Sequence, residues 1–521
     1  MLITCFGCSA HQPDKTVTAD ALSLMNKVNT SNFPHTDDAS RIWYDINPTS
    51  FADSDHNGSG DLKGIEPYLV YLNDQDASRI DNDLNITGLL LTNLAARDSS
   101  GNILGYDQMR PEIGTIDDLQ SLISAAHEQG MKVMIRFDLS PLSSESTLFR
   151  SLIDALKELT EEQSLEDLDP ALRDSFVLSE EQQENYIHVP ETRFYYLPAN
   201  ESGSPELNTD GEAFRQAVLS GIDMVMQAGA DGLYIPDAIA AANGDYEKAA
   251  SLVYWINDQV KAYNEQDFIL VSGSQDFKEQ IPGLSFTDQS YKGAEGAVAT
   301  AVTGSMSARE LGEYLISHDN DAYILNNDEN TMDLIKSESR QAQFKMALAL
   351  HLWMSHQVFV LAGDEIGLPA ETTALITDAF STEEKDRKSD QNKDETNDNA
   401  QDVRLGFGDL AGQLKDGNSI LRFVQQAIFL RDSYNAISSG QMSLESDLTT
   451  DQVLTIRKVT SGSEVVLVFN LSDSQQSVNT ESIQIQSLPA ELGGILLTSD
   501  QTVDFEDNLL VLPPYSAAIL K

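Results

Sequence analysis

Cysteine is almost missing from this chain: 521 residues carry two, Cys5 and Cys8, both within the first ten positions. Everything beyond them folds without a disulfide framework and without thiol chemistry. Basic residues are scarce as well. Thirty-three Lys and Arg stand against 83 Asp and Glu, so the formal charge is 33 − 83 = −50. A field of that sign repels nucleic acid and anionic lipid headgroups, and neither is expected as a partner. Long apolar runs are missing too, since none approaches the ~20 residues that a membrane-spanning helix needs. Apolar residues still make up 41% of the chain, enough for a large buried core. The length suits an α/β barrel with one accessory domain. The acidity itself reads as a solvated surface that keeps the chain soluble in salt-rich surroundings.

The first ten residues, Met1 to Ala10, resemble the end of a bacterial lipoprotein signal, with Gly7 before Cys8 and Ser9 after it. The expectation is a lipid anchor at Cys8 and a cell-envelope or secreted location. The apolar part is short and no basic stretch precedes it, so a chance match stays open. Residues 9 to about 40 are polar and read as a tether.

From there, strand-like and helix-like segments alternate. Ile42–Ile46, Ile86–Thr92, Lys132–Asp138, Gly232–Ile235, Phe268–Val271, Ala322–Leu325 and Val358–Leu361 read as strands. The segment from Ile116 to Gly130 repeats apolar residues at three- and four-residue intervals and ends on a glycine suited to a helix C-cap. Helical segments such as Ala213–Gln227 and Arg340–Met354 precede later strands. Repeated strand–helix units predict a parallel sheet closed into an eight-fold TIM barrel over residues 41–440. Two stretches break the rhythm: an acidic, irregular insertion at 141–210 and an apolar-poor loop at 371–403, expected to be mobile. A helix over Ser419–Ser433 follows. Residues 441–521 turn to short alternating runs, Val453–Arg457, Glu464–Phe469 and Leu509–Leu512, expected to form an antiparallel β-sandwich domain.

Five strings in order then carry a resemblance. Ile46-Asn-Pro-Thr-Ser-Phe51 with Gly60-Asp-Leu-Lys-Gly-Ile65, Pro111-Glu-Ile-Gly-Thr115, Ser204-Pro-Glu-Leu-Asn208, Ala230-Asp-Gly-Leu-Tyr-Ile-Pro-Asp237 and Gly363-Asp-Glu-Ile-Gly-Leu368 resemble glycoside hydrolase family 13, the α-amylase superfamily. The resemblance runs from about residue 40 onward and implies the barrel and a link to carbohydrate metabolism.

It also implies a chemistry that these residues do not supply. A retaining glycosidase needs a nucleophilic carboxylate and an acid/base carboxylate about 5–5.5 Å apart. The family adds an Arg beside the nucleophile and a third, stabilising Asp. Matched residue by residue, the Arg position is Tyr234, the nucleophile position is Pro236 and the acid/base position is Ser274. Asp237 lies one step beyond and, by strand alternation, faces the other way. The stabilising Asp persists in Asn326-Asn327-Asp328, while the third-strand motif reads Arg136 with Ser140-Pro141. Asp237 and Asp328 are thus the vestigial catalytic candidates.

Asp53-Ser-Asp-His-Asn-Gly-Ser-Gly-Asp61 sets oxygen donors at alternate positions: Asp53, Asp55, Asn57, the Ser59 carbonyl and Asp61. A hard cation wants about six to eight oxygens from a tight, glycine-containing loop. Many family members bind calcium at this loop, so Ca²⁺ is expected here as a structural staple, against an ion-free Asp/Gly turn. Tyr44, Tyr106 and Tyr234 lie at strand ends where rings can stack on sugars, and Tyr106-Asp107 echoes a substrate-contact pattern; core packing is the alternative for each.

Three readings follow. In the first, the barrel has lost hydrolysis and serves as a scaffold binding an α-glucan, another glycan or a protein partner. The heavy chain of heteromeric amino-acid transporters shows a similar degeneracy, and a transporter-like accessory subunit is one version of this reading. The second is an active α-glucosidase or transglycosidase with relocated carboxylates. The third is a carbohydrate-binding lipoprotein of the cell surface.

Overall fold

The structure is a computed structural model that describes residues 17–19, 40–76, 80, 82–288, 294–319, 321–324, 338–368, 375–379 and 407–521. Cys5, Cys8, Asp328 and nearly all of the 371–403 loop lie outside the described residues.

Eight parallel strands form one sheet: β1 (Ile42–Ile46), β2 (Gly88–Leu91), β3 (Lys132–Arg136), β4 (Gly232–Ile235), β5 (Phe268–Gly273), β6 (Ser285–Asp288), β7 (Tyr323–Ile324) and β8 (Val358–Leu361). Its order is β6-β5-β4-β3-β2-β1-β8-β7. The Ala322 N–H donates to the Phe286 carbonyl at 2.8 Å, joining the two ends and closing the barrel. Seven of these strands follow the sequence expectation. The sixth does not, because in Ser285-Phe-Thr-Asp288 the residues in register with Leu270 and Ser272 are themselves Ser285 and Thr287, leaving no apolar run to detect.

Side chains alternate across each strand. Trp43, Leu90, Met134, Tyr234, Leu270, Ala322 and Phe359 form an inner cluster that fills the barrel. Trp43 stacks on Phe359 with ring centres 5.8 Å apart. Gly88 makes room for that indole, since a Cβ there would lie 2.4 Å from the Trp43 ring. The alternate residues Tyr44, Leu89, Leu91, Val133, Ile135, Leu233 and Ile235 join the larger core outside the barrel. There they meet helices such as α1 (Ile116–Glu128), α2 (Glu212–Gln227), α3 (Tyr246–Lys261), α4 (Ala308–Ser317) and α5 (Gln341–Met354). The first shows why the sequence folds as it does. Thr115 and Asp118 form a capping box, and Leu119, Leu122, Ile123 and Ala126 are its buried stripe.

Between β3 and β4 the irregular insertion holds a helix, Thr147–Glu158, and a small antiparallel sheet of Leu178–Ser179, Tyr195–Tyr196 and Ile187–His188. After α6 (Ile420–Ser433) come two antiparallel sheets. One contains β9 (Gln441–Leu444), β10 (Val453–Val459), β11 (Glu464–Asn470), β13 (Leu492–Leu497) and β16 (Ser516–Leu520). The other contains β12 (Gln476–Asn479), β14 (Val503–Glu506) and β15 (Leu509–Leu512). Val466 and Val468 face the second sheet with Val478, Val503, Leu510 and Leu512, giving a sandwich core. Val465, Leu467 and Phe469 face the barrel's core instead, and Phe469 lies 5.7 Å from Trp353 of α5. Burial on both faces explains why β11 is an unbroken apolar run.

Within the polar segment read as a tether, Val17–Ala19 forms a strand that pairs antiparallel with Val503–Phe505. A short Val-Thr-Ala run suits an edge strand, and the partner supplies the backbone hydrogen bonds that a tether would leave to water.

Candidate functional site at the barrel rim

In a (β/α)8 barrel, ligands meet the C-terminal ends of the strands. Two residues beyond Trp43, Met134 and Tyr234 of the inner cluster stand Asp45, Arg136 and Pro236, and alternation turns the same face of each strand toward the mouth. Asp138 is the next such position after Arg136.

Arg136 and Asp138 are bound to each other. The guanidinium Nε donates to Asp138 Oδ1 at 2.8 Å, and Arg97 takes the other carboxylate oxygen. Arg97 is itself held by the Gly101 carbonyl at 2.8 Å. Asp138 therefore stands between two cations, and both of its oxygens are occupied. On β1, one strand removed from β3, Asp45 is partly exposed as a residue, yet its Oδ1 is sealed from solvent without a hydrogen-bond partner. Burial is the main cause pushing its carboxyl up to about 7, and neighbouring Asp364 adds to the rise, while Arg136 and Thr92 oppose it.

The positions matched to the family's catalytic groups do other work. Tyr234 is 7% exposed and packs in the inner cluster. Pro236, in the nucleophile position, has no side-chain oxygen or nitrogen. Ser274 caps the short helix Gln275–Lys278 by accepting from the Phe277 N–H, and its Oγ lies 2.9 Å from the Tyr246 hydroxyl. Asp237 is turned away from the mouth. Its carboxylate accepts the Leu139 N–H at 3.0 Å and the Ser140 N–H at 2.7 Å, pinning the loop after β3. Burial, then the charge of Asp138, raises its carboxyl to about 7.

Of the ring candidates, Tyr44 is fully buried with its hydroxyl donating to Glu365 at 2.8 Å. Tyr106 is 5% exposed, donates to the Leu139 carbonyl at 2.7 Å, stacks on Phe137 and meets the edge of Phe214. A ring covered in this way has no face to offer a sugar, and both take the core-packing role. Asp107 is exposed. Sequence reasoning noted Arg136 only as a departure in the third-strand motif and singled out none of Asp45, Arg97 and Asp138. The available signal was charge on the barrel-facing side of strands that are otherwise apolar inside.

The loop after β1 does gather its acids. One oxygen each from Asp53, Asp55 and Asp61 lie within 4.8 Å of one another. Asp53 accepts the N–H groups of His56 and Gly58, both at 2.7 Å, which lowers its carboxyl below the usual range. Asp61 caps the helix that follows through the Gly64 N–H. Asn57 spends its side-chain oxygen on the Ser59 N–H at 2.8 Å and its amide nitrogen on Asp55. Three carboxylates so close, with no ion pair to any of them among the described residues, make a donor set that fits a hard cation.

Comparison with known proteins completes the description. Residues 45–249 match the family model for the catalytic domain of alpha amylase. Alpha-amylase 3 of Dictyoglomus thermophilum is 24% identical over 502 residues, covering 92% of this chain and 93% of that protein. The amino acid transporter heavy chain SLC3A1 of Mus musculus is 33% identical over 111 residues, which is 21% of this chain and 15% of that protein. Among solved structures, Eubacterium rectale Amy13B superposes with a TM-score of 0.80 at 23% identity, covering 95% of this chain and 98% of that one. Residues 45–249 are thus similar to the catalytic domain of alpha amylase, and the closed barrel is the fold shared with these solved structures.

Proposed function

We propose that this protein is a non-hydrolysing α-amylase-family barrel that binds a glycan at its rim. The observation that carries the reading is Pro236. A retaining mechanism begins with attack by a carboxylate oxygen, and the position matched to that group has no side-chain heteroatom at all. Ser274 cannot replace an acid/base Glu, because its hydroxyl does not release a proton near neutral pH, and it is occupied as a helix cap. The experiment is an assay of the purified chain with 4-nitrophenyl α-glucoside and maltotriose. No release above the enzyme-free rate is expected.

One observation favours a second reading, an active enzyme with relocated groups. Arg136-Phe-Asp138 repeats the family's Arg-x-Asp spacing one strand away, and paired guanidinium groups hold Asp138. Turnover lost in Asp138→Asn would establish that reading. The non-hydrolysing one is preferred, because Asp138 has both oxygens engaged by cations.

The acidic loop after β1 is proposed to hold Ca²⁺ through Asp53, Asp55 and Asp61. The ion would neutralise crowded carboxylates and fix the loop between β1 and the helix at Leu62–Ile65. It has no part in chemistry at the rim.

A further inference from the structure

We infer that the glycan held at the rim carries an anionic group, a carboxylate or a phosphate ester, and that Arg136 is the residue that reads it. This rests on the glycan-binding reading above and adds the charge of the ligand.

Position comes first. Arg136 follows Met134 by two residues on β3, so it stands directly above the packed inner cluster, at the end of the barrel where ligands enter. Its side chain is 41% exposed despite this placement.

Orientation comes second. A guanidinium is a flat fork with five N–H donors. Asp138 pins one edge through Nε at 2.8 Å, and Arg97 anchors Asp138 in turn. That fixes the plane and leaves the outer edge unspent, for among the described residues the terminal nitrogens of Arg136 have no hydrogen-bond partner. A preoriented fork loses little freedom when it grips a ligand.

Complementarity comes third, and it selects the ligand's charge. A neutral sugar diol both donates and accepts, so a site built for it presents acceptors beside its donors. Here both Asp138 oxygens are taken by guanidinium groups, and Asp45 Oδ1 is sealed from solvent. Among the described residues, what Arg136 itself offers outward is donors on a cation. An acceptor-only oxyanion matches that edge, and two parallel charge-assisted bonds are the strong form of the contact. The arrangement is also uneconomical for a chain this poor in basic residues, 33 in 521, unless the pair has a task. Arg97 and Arg136 share one carboxylate between them.

The test is calorimetric titration of the full chain with glucose, maltotriose, glucuronic acid, glucose 6-phosphate and inorganic phosphate. One of the two anionic sugars is expected to bind roughly tenfold or more tightly than glucose and than phosphate alone, the scale of a charge-assisted pair. Glucuronic acid as the winner assigns a carboxylate, and glucose 6-phosphate a phosphate ester. Arg136→Gln, which leaves Asp138 held by Arg97, should remove the gain, while its melting temperature reports on folding. Arg136→Lys keeps the charge without the fork and should lose most of the gain; it serves as the readout should the Gln variant fail to fold. Maltotriose binding with no advantage for either anionic sugar overturns the inference and leaves the glycan reading standing. Binding of no sugar overturns both. Phosphate binding as tightly as glucose 6-phosphate, or a gain that survives Arg136→Gln, overturns the inference as well.

Discussion

Arg136 Nε, at the end of β3, stands 2.8 Å from Oδ1 of Asp138, two residues beyond that strand's end. The family's Arg-x-Asp spacing thus recurs beside the strand where the fold expects it, in register with Tyr234. A guanidinium and a carboxylate remain at the rim, paired with each other and with Arg97. The predictions below separate what holds this barrel together from what its rim binds.

Glu365 provides a pH test of the fold. It is fully buried and accepts from the Tyr44 and Tyr71 hydroxyls at 2.8 and 3.2 Å and from the Gly363 N–H at 2.8 Å. Burial is the main cause raising its carboxyl to about 7. The unfolded value is about 4.3, so the folded state prefers the protonated form. That contribution is complete below about pH 4.3 and is lost as pH rises through about 7, on the order of 3–4 kcal/mol. Glu365→Gln should therefore gain on the wild type between pH 5 and 8. Thermal melts of both proteins at the two pH values check this, and a pH-independent gap contradicts it.

Lys458 tests how the C-terminal sheet is fastened. From β10 its ammonium donates to the carbonyls of Trp353, Met354 and Ile437 at 3.0, 3.2 and 2.6 Å. Two of these belong to the last turn of α5, where carbonyls have no partner within the helix. Lys458→Met keeps most of the volume and strands those buried acceptors, costing about 2–4 kcal/mol. Urea unfolding measures the loss. A change within about 0.5 kcal/mol, the range of neutral surface substitutions, contradicts the role.

Calcium should stabilise the wild type. Millimolar CaCl₂ is expected to raise the melting temperature and a chelator to reverse the rise, because only the folded loop gathers Asp53, Asp55 and Asp61. Asp55→Ala should melt at one temperature with or without the ion. A wild-type melt that ignores calcium contradicts the assignment.

Much of this was legible in the letters, for a physical reason. Strands buried on both faces are apolar throughout, so β2, β4 and β8 announce themselves. The acidic loop was legible because its donors are close in sequence. Ser285–Asp288 was not, because the barrel fills its centre from other strands and lets this one point Ser285 and Thr287 inward. Asp45 reads as an ordinary strand residue until the closed barrel brings its carboxyl within electrostatic reach of Arg136. Arg97 and Asp138 are 41 residues apart and meet only through the loops above β2 and β3. Lys458 reads as a solvent-facing lysine in a strand, and tertiary contact with α5 alone reveals its task.

The most direct measurement is a single assay at the barrel rim: release of 4-nitrophenol from 4-nitrophenyl α-glucoside by the purified chain, alongside its Asp138→Asn variant. The predicted result is a rate for both that matches the enzyme-free control, consistent with a proline where the attacking carboxylate would stand. Turnover by the wild type that disappears in Asp138→Asn would contradict the account and make this a working hydrolase with its nucleophile moved one strand over.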